Sequence, residues 1–258
     1  MDKHSVFFMD LGLMGYQAAL DYQESLLQDN VQRKTLARSQ ATKLDSVPSL
    51  SQTGSIESPL DDADTRHYLL FVEHPPVYTL GKSGNIQNVL LSEENLKARG
   101  IDFFRTNRGG DITFHGPRQI VGYPILDLEK FYTDIGKYLR NIEEMIILTL
   151  SEYGIMAGRS PGETGVWIDP EIKGRERKIC AIGVRSSRWI TMHGFAFNVN
   201  TDLNYFNFII PCGIPNKQVT SLQKELGHEV NIEEVKEKVK RNFEKVFDAQ
   251  LIATAPEP

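Results

Sequence analysis

The sequence predicts a mixed α/β domain of the α+β type, with mixed β-sheets flanked by helices. Three observations predict it. Apolar stripes at spacings of three and four mark long amphipathic helices, and runs rich in β-branched and aromatic residues mark strands. The strands are too numerous and too often adjacent for a regular βαβ alternation. The 258 residues, 40% of them hydrophobic, read as a single domain spanning 1–258, with an insertion at about 29–66 that is flexible or partly helical.

In chain order, "SVFFM" breaks at Asp10 and is too short for a signal-peptide core. A helix is predicted from about Tyr16 to Leu27. The segment 29–66 has six serines, two prolines and no aromatic residue, so it offers little apolar surface to offset its ordering entropy. Its first half could extend the preceding helix, its second half reads as a loop, and it carries no legible role. "HYLLFVEH" and "VGYPILDL" then read as strands. From Asp134 to Tyr153, Ile135, Tyr138, Leu139, Ile142, Met145, Ile146 and Leu150 form a helical stripe, and Gly154 is a natural stop. "GVWID" and "KICAIGV" are joined by a charged loop, as in a hairpin, and "WITMHGFAFNVN" is a further strand. A short helix is expected at Ser221–Leu226. A last one carries Ile232, Val235, Val239, Phe243 and Val246 behind Asn231 as N-cap.

Composition narrows the function classes. A net charge of −5 argues against a general nucleic-acid binder. No run is long enough to span a membrane, and two cysteines without CxxC spacing suit a reducing cytoplasm. HxH and HExxH patterns are missing, as are GxGxxG and GxxxxGK[ST] phosphate cradles.

The residues with chemical potential are few. In "FNFIIPCGIPNK" (206–217), Cys212 ends an apolar run, between Pro211 and Pro215 and next to Gly213. Such a corner holds a side chain firmly and lets a ligand approach the backbone. The local sequence also fits a small buried hydrophobe, as free cysteines commonly are. A nucleophilic thiol needs a partner for its proton. His115 and His193 each precede a glycine at a strand end and are candidate bases, or satisfied structural residues. Lys178 opens "KICAIGV"; as an ammonium it would lower a nearby thiol pKa, and as an amine it would accept the proton. In "RTNRGGDITFHGP", Arg108, Gly109 and Gly110 combine a fixed charge with a backbone that a ligand can approach closely.

Taken together, "EHPPVYTLG" (73–81), "RGGDITFHGPRQIVGYPILDL" (108–128), "KICAIGVRSSRWITMHGFAFNVN" (178–200), "IIPCGI" (209–214) and "VTSLQKELG" (219–227) resemble the lipoyl(octanoyl) transferases. The resemblance covers nearly the whole chain outside 29–66 and the last few residues. It implies a fold like that of lipoate and biotin protein ligases, with a larger mixed sheet and a smaller one. It implies octanoyl transfer from acyl carrier protein to a lysine of lipoyl domains, those of 2-oxoacid dehydrogenase E2 subunits and the glycine cleavage H protein. This is the first step of endogenous protein lipoylation. By the same resemblance Cys212 is the acyl-thioester nucleophile and Lys178 the partner that lowers its pKa and shuttles protons. Arg108, Gly109, Gly110, Asp111, Ile112, Thr113, Phe114 and His115, Ala181, Ile182 and Gly183, and Gly194, Phe195 and Ala196 would surround the acyl chain. No ATP, metal or other cofactor is implied, and a monomer is the default. Cys180 stands where a small residue such as alanine is common and is read as strand packing.

Residues 171–188 hold Lys173, Arg175, Arg177, Lys178, Arg185 and Arg188 against Glu171 and Glu176, a local net of +4. A basic rim of this kind would steer acidic carrier proteins, or it is simply a solvated hairpin loop. Three rival functions remain open on the sequence: an ATP-dependent ligase that would not need Cys212, a silent lipid or carrier-protein binder, and a thioesterase.

Overall fold

The computed structural model describes residues 3–45, 64–211 and 218–254, with the side chains of the first segment described to residue 40. The predicted architecture is observed. Among the described residues a nine-stranded mixed sheet runs in the order β12-β1-β2-β6-β10-β9-β8-β7, with β11 pairing to β9. Its strands are β1 (His4–Leu13), β2 (His67–Glu73), β6 (Gln119–Ile125), β7 (Ala157–Ser160), β8 (Glu163–Ile168), β9 (Arg177–Ser187), β10 (Ile190–Asn198), β11 (Gln218–Val219) and β12 (Ala249–Ala253). A three-stranded sheet is built from β3 (Val77–Leu80), β4 (Asp102–Arg105) and β5 (Ile112–His115), in the order β4-β3-β5. The predicted hairpin of "GVWID" and "KICAIGV" is the antiparallel β8–β9 pair.

Strand alternation divides the large sheet into two apolar faces. Leu69 and Phe71 join Ile120, Phe195 and Phe197 in a core under α4 (Ile135–Ser151) and α6 (Ile232–Phe247). Tyr68, Leu70 and Val72 join Val121, Tyr123 and Ala196 under α1 (Tyr16–Asp45). Both long helices begin at predicted positions, with the Asp134 side chain capping Lys137 N–H and Asn231 capping Glu233 N–H. Helix α4 ends at Ser151, and Gly154, at φ +71°, reverses the chain. The short helix predicted after Ser221 is α5 (Leu222–Leu226). Two further short helices, α2 (Glu93–Ala98) and α3 (Leu128–Phe131), flank the small sheet and follow β6.

One bound is corrected and one open reading is met. Helix α1 does not stop near Leu27 but continues to Asp45, so the first half of segment 29–66 does extend the preceding helix, and it has a structural role. The inward stripe of α1 is Tyr16, Ala19, Gln23, Leu27, Asn30 and Lys34, all buried. Three of those six are polar, which is why an apolar stripe fades at Leu27. Asn30 donates to Arg66 O at 2.8 Å and accepts from Arg66 N at 2.7 Å. Lys34 Nζ, 2.6 Å from Asp127 Oδ1, also donates to Arg188 O at 2.8 Å. The second half of the predicted loop, 46–63, lies outside the described residues. Among the described residues no helix is long and apolar enough to cross a membrane.

Candidate active site

A cleft lies between the α1 face of the large sheet and the loop that leads into β5. Its walls include Arg108, Gly110, Asp111, Ile112, Thr113 and His115 on one side. Lys178, Ala181, Ile182 and Gly183 of β9, with Gly194, Phe195 and Ala196 of β10, form the other. The second wall is assembled by the antiparallel β9–β10 ladder, in which Gly183 pairs with Gly194 and Ala181 with Ala196, and it faces a loop that lies about seventy residues earlier in the chain. The glycines allow the close fit. A Cβ on Gly194 would sit 2.1 Å from Gly122 O, and one on Gly183 would sit 2.8 Å from Gly109 O.

Two of the expected lining residues do other work. Gly109 N–H donates to Val184 O at 2.9 Å, which ties the loop to β9. Phe114 alternates away from Thr113 and His115 and stacks on Tyr205 with centroids 4.6 Å apart. Arg108 was expected to present a charge to a ligand; its guanidinium is largely spent on the fold. It donates to Thr79 O, to Thr79 Oγ1 at 2.9 Å, to Asp111 O at 2.9 Å and to Gly109 O at 2.9 Å. Asp111 in turn accepts from Asn88 Nδ2 at 2.6 Å and from Ile112 N at 2.7 Å. The loop is thus fixed before any ligand arrives.

Sequence reasoning passed over most of the inner end of the cleft, where Tyr16, Val121 and Tyr123 join the candidate base His193. Tyr16 opens α1 and is far in sequence from every other lining residue, so no local signal marked it. The histidines at this end are neutral. His74 Nδ1–H donates to Met14 O at 2.7 Å, which leaves Nε2 to accept from Tyr123 Oη at 2.8 Å. Burial pushes the His74 pKa down to about 4 and that of His193 to about 3, the latter helped by Arg108. His115, enclosed and close to His74 and Arg108, is held well below the ordinary value for the same reasons. Its Nδ1–H donates to Gln119 Oε1 at 3.0 Å, since Gln119 Nε2 is itself donating to Asn198 Oδ1 and Phe114 O. Of the two candidate bases, His115 is therefore a satisfied structural residue. His193 Nε2 lies 3.0 Å from Asn107 Oδ1 and donates to it. Burial also raises the Tyr16 and Tyr123 hydroxyls, so both are neutral donors.

Lys178 sits where the cleft continues into a second recess, lined also by Gln119, Trp167, Asn198, Phe206, Pro211, Gln218 and Val219. Its ammonium lies 4.6 Å from the Trp167 ring centroid, a cation–π distance. Its backbone is clamped on both sides, by Trp167 of β8 and Val219 of β11. Cys212 falls outside the described residues, as do any oxyanion donors beside it. The residues bracketing that stretch, Pro211 and Gln218, both line the recess that Lys178 shares. Cys180 is fully buried in the core and burial raises its thiol pKa strongly, in keeping with the packing role read from the sequence. No group of three or more metal-ligating side chains occurs among the described residues.

The basic rim is weaker than its sequence count. Arg177 is bound by Glu225 at 2.6 Å and Asp169 at 2.6 Å, and Arg185 pairs with Glu24 at 2.8 Å. All three partner carboxylates lie outside the window 171–188, so a local charge sum could not include them.

Comparison with known proteins agrees with this architecture. Residues 56–244 match the family described as the lipoyl protein ligase A/B catalytic domain. The octanoyltransferase of Christiangramia forsetii is 55% identical over 243 residues, 94% of this chain and 95% of that protein. That of Flavobacterium johnsoniae is 54% identical over 244 residues, 94% of this chain and 97% of that protein. Among solved structures, lipoate-protein ligase A bound with ATP aligns at TM-score 0.64 and 15% identity, covering 100% of this chain and 90% of that one. A lipoate protein ligase of Thermoplasma acidophilum aligns at TM-score 0.63 and 17% identity, covering 100% and 88%. At those identities the likeness is one of fold. With a family match over most of its length and relatives above half identity, the chain belongs to the lipoyl protein ligase A/B catalytic family and, within it, to the octanoyltransferases.

Proposed function

We propose that the chain moves an octanoyl group from octanoyl-acyl carrier protein to a lipoyl-domain lysine through a thioester on Cys212, with Lys178 managing the protons. The observation that carries this reading is the recess in which Lys178 lies together with Pro211 and Gln218. Cys212 follows Pro211 directly in the chain. The glycine-walled cleft leading from that recess offers an alkyl chain the apolar side chains of Ile112, Ala181, Ile182, Phe195 and Ala196.

The Cys212 thiolate attacks the carbonyl carbon of the donor thioester. A C–S bond to Cys212 forms, the bond to the pantetheine sulfur breaks, and the departing thiolate takes a proton from the Lys178 ammonium. The lipoyl-domain amine then attacks the acyl-enzyme. An amide C–N bond forms, the C–S bond to Cys212 breaks, and neutral Lys178 accepts the proton the amine loses. The first exchange is near balance and the second runs downhill, so no nucleotide is consumed. The ligase reading would need a bound nucleotide.

Intact mass after incubation with octanoyl-acyl carrier protein tests this. A hydroxylamine-sensitive octanoyl adduct is expected on wild type and Cys180→Ser, absent from Cys212→Ser, and chased onto an added lipoyl domain. An adduct that persists without Cys212 sinks the nucleophile assignment. ATP-dependent attachment of free octanoate by Cys212→Ala would point to the ligase instead.

A further inference from the structure

We propose that Glu143 is a positioning residue for Lys178 and acts through the Gly165 amide. This rests on the role given to Lys178 above. Glu143 projects from α4 into the core and has no solvent exposure. A carboxylate taken out of water needs compensating partners on both oxygens. Oε2 receives Arg140 Nη1 at 2.7 Å and Arg159 Nε at 2.9 Å. Oε1 accepts the backbone N–H of Gly165 at 3.0 Å. Two arginines secure the anion, and the anion holds one amide of β8.

That amide belongs to an irregular place in the sheet. The β8–β9 register shifts between Val166↔Cys180 and Trp167↔Lys178, so the ladder alone constrains this stretch weakly. Gly165 has φ +129°, a conformation open to glycine. A Cβ there would sit 2.7 Å from Cys180 O, 3.3 Å from Lys178 Cε and 3.5 Å from Lys178 Cδ. The Gly165 backbone is thus the surface on which the Lys178 stem lies, and Trp167, two residues on, supplies the ring beneath the ammonium at 4.6 Å. Fixing the Gly165 amide fixes both contacts. The influence of Glu143 on Lys178 passes through the backbone of β8.

A purely structural Glu143 would affect stability alone, and activity would fall only with the folded fraction. The test compares Glu143→Met, Glu143→Gln, Gly165→Ala and Lys178→Met by steady-state octanoyl transfer across pH, with thermal melting of each. Glu143→Met removes the acceptor for Gly165 N–H. Its kcat is expected to fall about 10- to 100-fold, as sub-ångström to ångström misplacement of a reacting group does, with KM within about threefold and the pH profile of kcat displaced. Glu143→Gln keeps a carbonyl for Gly165 but unbalances the arginines. It should melt lower, as Glu143→Met does, yet recover most of the lost kcat. Should Glu143→Met fail to fold, Gly165→Ala carries the test, because it crowds the Lys178 stem with Glu143 intact and should show the same displaced profile. Wild-type kcat and profile in folded Glu143→Met or in folded Gly165→Ala would overturn the proposal. So would losses in Glu143→Met and Glu143→Gln that simply follow their melting temperatures. A Lys178→Met enzyme of wild-type rate would instead remove the role of Lys178, whatever Glu143 does.

Discussion

Acidifying the solution from pH 7 to pH 5 should destabilise this fold sharply, before its carboxylates begin to titrate. His67 and His74 are buried with pKa values lowered to about 4, and His193 to about 3, in each case chiefly by desolvation of the charged ring. The unfolded chain binds protons at these positions below about pH 6.5, whereas the folded chain does not until about pH 4 or lower. The stability is therefore fully present above about pH 6.5 and is lost as pH falls towards the folded values. Integrated to pH 5, each such histidine contributes a loss of ~2 kcal/mol, or ~6 kcal/mol for the three, against a typical total of about 5–15 kcal/mol. Most carboxylates stay ionised in both states over this interval, so the histidines dominate. His115, also held well below the ordinary value by burial, adds to the loss in the same direction. Urea unfolding midpoints at pH 7, 6 and 5 measure the effect, with His67→Gln, remote from the cleft, reducing it by about a quarter. Equal stability at pH 7 and pH 5 would refute the neutral-histidine account of the cleft.

Two further outcomes concern the strap that α1 lays across β10. Lys34→Met leaves Asp127, whose side chain is only 2% exposed, without its cation. It should cost about 3–5 kcal/mol by urea unfolding, and Lys34→Met combined with Asp127→Asn should recover part of that. Gln23 Oε1 accepts the His193 amide at 2.9 Å, so Gln23→Ala should speed hydrogen exchange at His193 by about tenfold or more. Unchanged exchange would mean that α1 does not hold this wall.

The elements were largely legible because their patterns are strong. The stripe of α4 and the alternation of Leu69 and Phe71 with Tyr68, Leu70 and Val72 follow directly from which faces are covered. Helix α1 was half legible, because Gln23, Asn30 and Lys34 place polar groups on a buried face and no periodicity rule credits them. The cleft was legible only as motifs. Cys212 and Lys178 are ambiguous singly, and it was the family resemblance that paired them. Tyr16 and His74 were missed at the site because their contribution is made in space. Glu143 reads in sequence as one more polar position between apolar ones, and only its burial against Arg159 and the Gly165 amide marks it out.

These buried polar groups have a common logic. A cleft of the kind proposed here for an alkyl chain could be lined with leucines throughout, yet this one is walled by glycines and backed by His74, His115, Tyr123 and His193. Glycine walls bring two backbones close together and leave a narrow slot, but they contribute little packing of their own. The stiffness must come from hydrogen bonds behind the wall: Arg108 onto Thr79 and Asp111, Gln23 onto the His193 amide, and Lys34 onto the Arg188 carbonyl. The last two also fall on residues with left-handed backbone, His193 at φ +58° and Arg188 at φ +50°. Such conformations cost about 1–3 kcal/mol each in non-glycine residues and persist where surrounding contacts over-determine them. The α1 strap supplies those contacts. Its polar inner face, which hid it from a hydrophobic reading, is what allows it to hold strained backbone around a slot too narrow to be stiffened by packing alone.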